Sequence, residues 1–537
     1  MPTSQPDRSQ PSPQDRGTAE RAVIVLAAGL GKRMRSSTPK VLHQVLGRSL
    51  LGHVLAAADP LQARRTMVVV GAGADAVKAH LAEVAPAAEA VFQAEQRGTG
   101  HATRVAVEQA PEASGTVVVL TGDTPLLRPD TLAELVRTHE ELGFAATVLT
   151  AAPEDPSGLG RIIRDAEGRV TGIVEERDAT PEQRAVREIN SGIIAFQAPA
   201  LRAVLGRLSA DNDQGEEYLT DTIGLLVAEG LPVGSYVAVD PVETLGCNDR
   251  AQLARMGALL RDRVNEAWLR SGVTMVDPSS AWIDVTVTVG VDAVLEPNVQ
   301  LRGSTTVGVG ATVGPDSTLV DTEVGAGASV VRAHAQSAVV GPECSVGPFA
   351  YLRPGTRLHR GAKVGTYVET KNAEIGAGSK VPHLSYVGDA TIGEHANIGA
   401  ATIFVNYDGV RKHHSVVGDA AFVGCDSMLV APVRIGDGSY VAAGSVVYRN
   451  VGPGQLGVTR AQQRNIDGWV ERQRAGTRSA AAAARARELG ATNPTRGSAG
   501  AQVPAGDGQT AARSVPDGAA PSDGSVAGVQ PGPTVEQ

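Results

Sequence analysis

The chain has 537 residues, a formal net charge of −9 and three cysteines, with 42% of its residues hydrophobic and 20% charged. The acidic balance argues against a nucleic-acid partner. Cys247, Cys344 and Cys425, none in CxxC spacing, argue against a disulfide scaffold or a Cys-based zinc site and fit a reducing cytoplasm. No apolar run approaches the roughly 20 residues that span a bilayer, so no membrane partner is expected, and the length predicts two domains with separate cores.

Residues 1–20 are polar and Pro-rich where a signal peptide would be apolar, and read as a disordered tail. A first domain then spans residues 21–250. Short β-branched runs, AVIVLAA, TMVVVGA, AEAVFQA and GTVVVLTGD, alternate with segments of helical spacing at residues 40–57 and 75–84. That order predicts a parallel sheet with helices on both faces and ligands at the carboxyl ends of its strands.

Two features stand at those ends. After the first strand come Leu26, Ala27, Ala28, Gly29, Leu30, Gly31, Lys32 and Arg33, then Pro39 and Lys40. The glycines open the loop so that backbone N–H groups can face phosphate oxygens, and Arg33 and Lys40 add positive charge. Neither a dinucleotide fingerprint nor a Walker loop fits, because the third Gly and the GK[ST] ending are absent. The second feature, Thr121-Gly122-Asp123-Thr124-Pro125-Leu126, brings a carboxylate suited to Mg²⁺ bridged to phosphate. The alternative is a helix cap ahead of Pro129. His101 looks like a base but reads as a helix-start residue.

Beyond residue 149, GRIIRDAEGRVTGIVEERD reads as a hairpin turning at residues 165–168, and EINSGIIAF as another strand. Read without a family, Glu175 is a surface charge and Asn248 a helix cap. Residues 251–275 form a helical linker, expected to be a stiff arm.

In a second domain, residues 276–460, an aliphatic residue, usually followed by Gly, recurs every six positions from about residue 289 to 448, as in Val346, Leu352, Leu358 and Val364. A helix of 3.6 residues per turn puts such positions on different faces. A three-sided coil of short parallel strands makes each sixth site equivalent and inward. Polar residues on this coil therefore point outward or lie on excursions. They are Arg353, Lys371, His383, Tyr386, Asn397, Asn406, Tyr407 and Lys412. Residues 461–537 combine a helix-prone SAAAAARARELG with a tail, from residue 491, too poor in large apolar groups to order itself.

The six-residue period resembles the left-handed parallel β-helix of hexapeptide acyltransferases. LAAGxGxRM followed by PK resembles the signature of sugar nucleotidyltransferases. With DNDQGEEYLTD, GCNDR around Asn248, KVPHLSYVGD and NYDG, the resemblance narrows to the bifunctional N-acetylglucosamine-1-phosphate uridyltransferase/glucosamine-1-phosphate acetyltransferases, from about residue 21 to 469. It implies a Rossmann-like nucleotidyltransferase domain followed by the β-helix, a homotrimer, and the substrates UTP, N-acetylglucosamine 1-phosphate, glucosamine 1-phosphate and acetyl-CoA.

The resemblance also implies residue roles. Gln93, Gly98 and Thr99 hold uracil. Gly160, Glu175 and Asn190 line the sugar, and Asp123 with Asn248 holds Mg²⁺. His383 is the general base, a role imidazole commonly fills, with Glu369 orienting it. Arg353, Lys371 and Lys412 bind the sugar phosphate, and Tyr386, Asn397, Asn406 and Tyr407 place the sugar. Ala400, Asn406, Tyr407, Cys425, Ala443 and Arg460 meet acetyl-CoA. Two positions depart from the family pattern: Thr121 stands where an aromatic or Ser is common, and Cys425 where Ser is usual. Two other readings remain open, a nucleotidyltransferase of another sugar on a purely structural β-helix, and a non-catalytic subunit.

Overall fold

The computed structural model describes residues 20–112 and 114–490. The expected tails, residues 1–20 apart from Glu20 and residues 491–537, lie outside the described residues. Residues up to 460 form one compact unit, and those from 461 onward form a second.

The first domain is built on strands β1 (Arg21–Ala27), β2 (Arg65–Val70), β3 (Glu89–Phe92), β4 (Thr116–Thr121), β5 (Ala146–Ala151), β6 (Ile189–Gln197) and β7 (Val233–Val237). They are ordered β7-β5-β6-β4-β1-β2-β3. Alternation along β1 explains the two-sided burial. Ile24 faces one core with Ala102, Ala106 and Leu201, while Val23 and Val25 face another with Leu51, Val54, Leu132 and Leu135.

Two sequence expectations change here. The sheet is mixed, because β6 runs antiparallel to both β4 and β5; a strand buried on both faces reads the same in either direction. Residues 40–57 are not one helix. A 3-10 turn at Lys40–Leu42 is followed by a hairpin of Gln44–Val45 with Arg48–Ser49, and only Leu50–Ala58 is helical. Leu46 and Gly47, both at positive φ, make that hairpin turn. The hairpin Arg161–Arg164 with Val170–Val174 forms as expected.

The linker is a 21-residue helix, Arg250–Arg270, capped by Asp249, whose side chain accepts from the Gln252 N–H. It is a packed element. Met256 and Leu260 share a core with Val45, Leu46, Leu50, Leu126 and Cys247 of the first domain. Toward its other end, buried Asn265 donates from Nδ2 to the carbonyls of Pro278 and Ala281, and the Arg261 guanidinium lies over the Trp282 ring at 5.0 Å.

After the helix the chain winds into a three-sided prism, with three hexapeptides to a coil. One side runs from Thr274–Met275 to Leu456–Gly457. A second side pairs Trp282, Gln300, Thr318, His334, Tyr351, Glu369 and Tyr386 in parallel register, and a third pairs Thr288, Thr306, Glu323, Val339, Arg357 and Glu374. Inward residues of the second side stack as Ile283, Leu301, Leu319, Ala335, Leu352, Thr370 and Val387, all fully buried. Each such aliphatic side chain stabilises the stack by roughly 1.5–3 kcal/mol. One excursion leaves the prism, at residues 406–414, between Ile403–Val405 and Ser415–Val417.

The second unit begins at Ala461. Its described residues carry helices Trp469–Gln473 and Arg478–Glu488, tied by the Arg487–Glu471 ion pair at 2.7 Å.

Candidate active sites

The end of β1 turns through Gly31, at φ 57°, into the 3-10 turn Lys32–Met34. A Cβ at Gly31 would stand 2.7 Å from Lys40 Cβ, so glycine is what lets the loop close on Lys40. Lys40 donates from Nζ to Asp123 Oδ2 at 2.5 Å and to Asn248 Oδ1 at 3.3 Å. Asp123 is set by the Gly122 N–H, which donates to the Leu26 carbonyl, and its own carbonyl accepts from Cys247 N–H. Three distant segments thus meet at one positive charge.

A cavity of about 550 Å³ opens there. Leu26, Ala27, Ala28, Gly29, Arg33, Lys40, Gln93, Gly98, Thr99, Thr121, Asp123 and Asn248 all line it. Gln93 is buried and donates from Nε2 to the Gly98 carbonyl, and it pairs with His101 Nδ1 at 3.0 Å, so His101 supports Gln93 from the helix Thr99–Glu108. Gly98 has φ 107°, and a Cβ there would stand 2.5 Å from the Glu217 carbonyl.

Sequence reasoning missed Glu217 and Gln96. The Glu217 carboxylate, almost wholly buried, takes Arg97 at 2.6 Å and Arg104 at 2.8 Å, while its backbone bonds to Gly100 and Arg97, clamping the Gly98 loop. Gln96 donates to the Ala28 carbonyl at 2.8 Å. The acidic pair in DNDQGEEYLTD was the visible signal for Glu217, since a carboxylate with two Arg partners is how a buried charge persists.

Gly160, Glu175 and Asn190 form a cluster outside that cavity's lining, joined to it where Gly192 approaches the Thr121 side chain. Asn190 N–H donates to the Gly160 carbonyl at 2.9 Å. A Cβ at Gly160 would stand 3.3 Å from Glu175 Oε2. Glu175 is no surface charge: burial raises its pKa, and Asp221 and Asp178 add to the rise against the hydrogen bond from Thr220 Oγ1.

The oxygens of Asp123 and Asn248 converge on a cation, which is the chemistry a hard divalent ion requires. Among the described residues no group of three or more His, Cys, Asp or Glu side chains could hold a metal.

On the prism the candidate residues gather at both borders of the second side. At one border Arg353, Lys371, Tyr386, Asn406 and Lys412 come together. Arg353 pairs with Glu369 at 2.8 Å, and the Lys412 ammonium beside Lys371, aided by Arg353, lowers the Lys371 pKa. Asn406 Nδ2 donates to Asp389 Oδ2 at 2.6 Å and lies 3.4 Å from Tyr386 Oη, while Asn372 Nδ2 donates to Asp389 Oδ1. Asp389 and Asn372 were missed, although Asn372, Asp389 and Asn406 recur one coil apart and the first two adopt positive φ, which Asn and Asp tolerate. The excursion is held by Asp408, whose carboxylate accepts from the Val410 and Arg411 N–H groups and pairs with His413. Tyr407 is exposed and donates from Oη to the Gly409 carbonyl.

At the other border His383, Ala400, Cys425 and Ala443 stack in a column. Ala401 N–H donates to the His383 carbonyl, Asp426 N–H to Ala400, and Gly444 N–H to Cys425. Exposed Arg460 follows the last strand of the prism. Within one chain two candidates stand apart from the groups they were expected to join. Glu369 does not reach His383: its coil neighbour is Tyr386 and its carboxylate is taken by Arg353. Asn397 lies on the first side, between Lys380 and Phe422, apart from the cationic cluster.

Comparison with known proteins agrees with this two-part architecture. Residues 23–270 match the MobA-like NTP transferase domain, and residues 414–449 match the bacterial transferase hexapeptide repeats. Over 475 residues, 88% of this chain and 98% of the relative, it is 58% identical to the bifunctional protein GlmU of Streptomyces avermitilis. It is 58% identical to that of Thermobifida fusca over 87% of this chain and 97% of the relative. Against that of Kineococcus radiotolerans it is 54% identical over 87% and 95%. With a nucleotidyltransferase sheet, a left-handed parallel β-helix and this identity along nearly the whole of each relative, the chain belongs to the GlmU family of bifunctional proteins.

Proposed function

We propose that the two sites act in series to make UDP-N-acetylglucosamine. The chain is a bifunctional transferase, a glucosamine-1-phosphate N-acetyltransferase and a UDP-N-acetylglucosamine diphosphorylase. The residue roles that follow are our reading. On the prism, the sugar phosphate of glucosamine 1-phosphate binds Arg353, Lys371 and Lys412, whose crowding of like charge is relieved by a dianion. His383 takes a proton from the amine as its nitrogen attacks the thioester carbon of acetyl-CoA, and the thiolate of coenzyme A leaves and is protonated. Cys425 and Ala443 stand along the column where the coenzyme lies, and Arg460 meets its phosphates.

In the first domain, a phosphate oxygen of N-acetylglucosamine 1-phosphate attacks the α-phosphorus of UTP and pyrophosphate leaves. Gln93 and the Gly98 loop hold uracil, and Glu175 and Asn190 orient the sugar. Arg33 and Lys40 meet the triphosphate charge. Asp123 and Asn248 would hold Mg²⁺, which supplies charge stabilisation to the phosphates when bound.

The convergence of Asp123, Asn248 and Lys40 at the mouth of a nucleotide-sized cavity carries this reading. We further propose a homotrimer, supported by an exposed apolar ladder of Phe349, Tyr367 and Leu384 on successive coils beside His383. Among the described residues no helix is long and apolar enough to cross a membrane. We place the enzyme in the cytoplasm with its three free thiols and its product on the route to peptidoglycan precursors. Incubation with glucosamine 1-phosphate, acetyl-CoA, UTP and Mg²⁺ should yield UDP-N-acetylglucosamine by mass. Failure to form either the acetylated or the uridylylated species would overturn the reading.

A further inference from the structure

Lys40 does more in this structure than wait for a triphosphate. Its ammonium stands between the two oxygens that would hold the metal, 2.5 Å from Asp123 and 3.3 Å from Asn248, with both Lys40 and Asp123 side chains only 17% exposed. Asp123 supplies the carboxylate of that pair and Asn248 is neutral. With the ammonium in place the local charge is balanced, so a divalent cation would lose its electrostatic attraction and meet a like charge within a few ångströms.

We infer that Lys40 is the resident counter-ion of the metal position. In the nucleotide-free enzyme it keeps divalent metal out, and the arriving triphosphate draws it away, so metal enters together with nucleotide. This rests on the assignment of Asp123 and Asn248 as metal ligands.

The exchange needs no backbone movement. Lys40 is anchored at its base, where its Cβ packs against Gly31 and its carbonyl accepts from His43 N–H, while a lysine's four-carbon stem is intrinsically flexible. The cavity that receives the nucleotide is lined by Lys40, Asp123 and Asn248 together with Gly29 and Arg33, so phosphate oxygens would offer the ammonium a new partner beside the one it leaves. The exchange also keeps Asp123 paired at every stage, which a partly buried carboxylate requires. A free metal site at this position would instead attract cations that no substrate accompanies.

The test is Mn²⁺ binding followed by electron paramagnetic resonance on the full chain, with and without α,β-methylene-UTP. The parent should bind Mn²⁺ weakly alone and tightly with the analogue. Lys40→Ala should bind nucleotide-free Mn²⁺ about tenfold more tightly, since one neighbouring unit charge shifts an ionic equilibrium by roughly that factor or more. Lys40→Met, which keeps the stem against Gly31, serves if the alanine variant folds poorly. Adding Asp123→Asn to either should abolish the gain. Unchanged nucleotide-free Mn²⁺ binding in both Lys40 variants, with analogue-dependent binding still lost in Asp123→Asn, would overturn the counter-ion role alone. Analogue-dependent Mn²⁺ binding that survives Asp123→Asn would overturn the metal assignment beneath it.

Discussion

Arg263, two turns from the end of the interdomain helix, donates from Nη1 to the Leu126 carbonyl at 2.7 Å. Leu126 closes the segment that carries Asp123. The helix, expected as a stiff arm, therefore also buttresses the segment that carries Asp123 and shares a core with the first domain.

Truncation should expose this dependence. A fragment ending at residue 302 keeps the helix and its partners Trp282 and Val285, and should retain uridyl transfer while acetylating nothing. One ending at residue 249 strips Met256 and Leu260 from a shared core, a loss of about 2–5 kcal/mol for each buried side chain. It should melt lower and lose most uridyl transfer. Equal activity and melting temperature in the two fragments would show that the helix is dispensable.

The two chemistries should separate by single substitutions. Asp123→Ala should abolish metal-dependent uridyl transfer and spare acetyl transfer, and His383→Ala should do the reverse. The loss expected at His383 is roughly a hundred- to ten-thousand-fold in turnover. Near-normal acetylation at neutral pH by the His383 variant would put the base elsewhere.

Glu175 carries a pH signature. Burial first, then Asp221 and Asp178, hold its carboxyl above the usual carboxylate range. The unfolded chain ionises at the ordinary value and the folded chain only at a higher one, so stability falls as pH rises from the first to the second and stays lowered above it. Glu175→Gln removes that penalty. The variant should melt above the parent at neutral pH, with the difference vanishing below the ordinary carboxylate range, and its KM for N-acetylglucosamine 1-phosphate should rise. A lower melting temperature at neutral pH would contradict this.

Cys425 is exposed on the column that holds His383, while Cys247 and Cys344 are buried, Cys247 with its thiol pushed up to about 11. A thiol reagent should therefore reach Cys425 selectively, inhibit acetyl transfer and leave uridyl transfer intact, with protection by acetyl-CoA. Cys425→Ser should keep or raise acetyl transfer, since a hydroxyl is the stronger donor to a thioester oxygen. Mapped alkylation of Cys425 without inhibition would remove that segment from the coenzyme site.

The prism was legible because its chemistry is periodic: an inward site recurs every six residues and accepts little except an aliphatic group, so Leu301, Leu319 and Leu352 announce it. The direction of β6 was not, since buried strands carry no alternation to orient them. The break at Leu46-Gly47 lacked the Asn-Gly or Asp-Gly signature of a two-residue turn. At the sites, motifs brought forward Lys40, Asp123 and Asn248, but their meeting at one ammonium is a property of three segments and no local spacing encodes it. Glu369 and His383 stand apart within the chain for a geometric reason. A coil advances 17 residues at that point, from Glu369 to Tyr386, which puts His383 at a different corner.

The prism also acts as a ruler. Every coil bonds only to the one above and the one below, so the number of coils between the interdomain helix and His383 sets how far apart the two chemistries stand, in steps of about 4.8 Å. Removing one whole coil would shorten that reach by a single step and leave each catalytic corner intact, so the spacing between successive reactions is free to change without redesign of either.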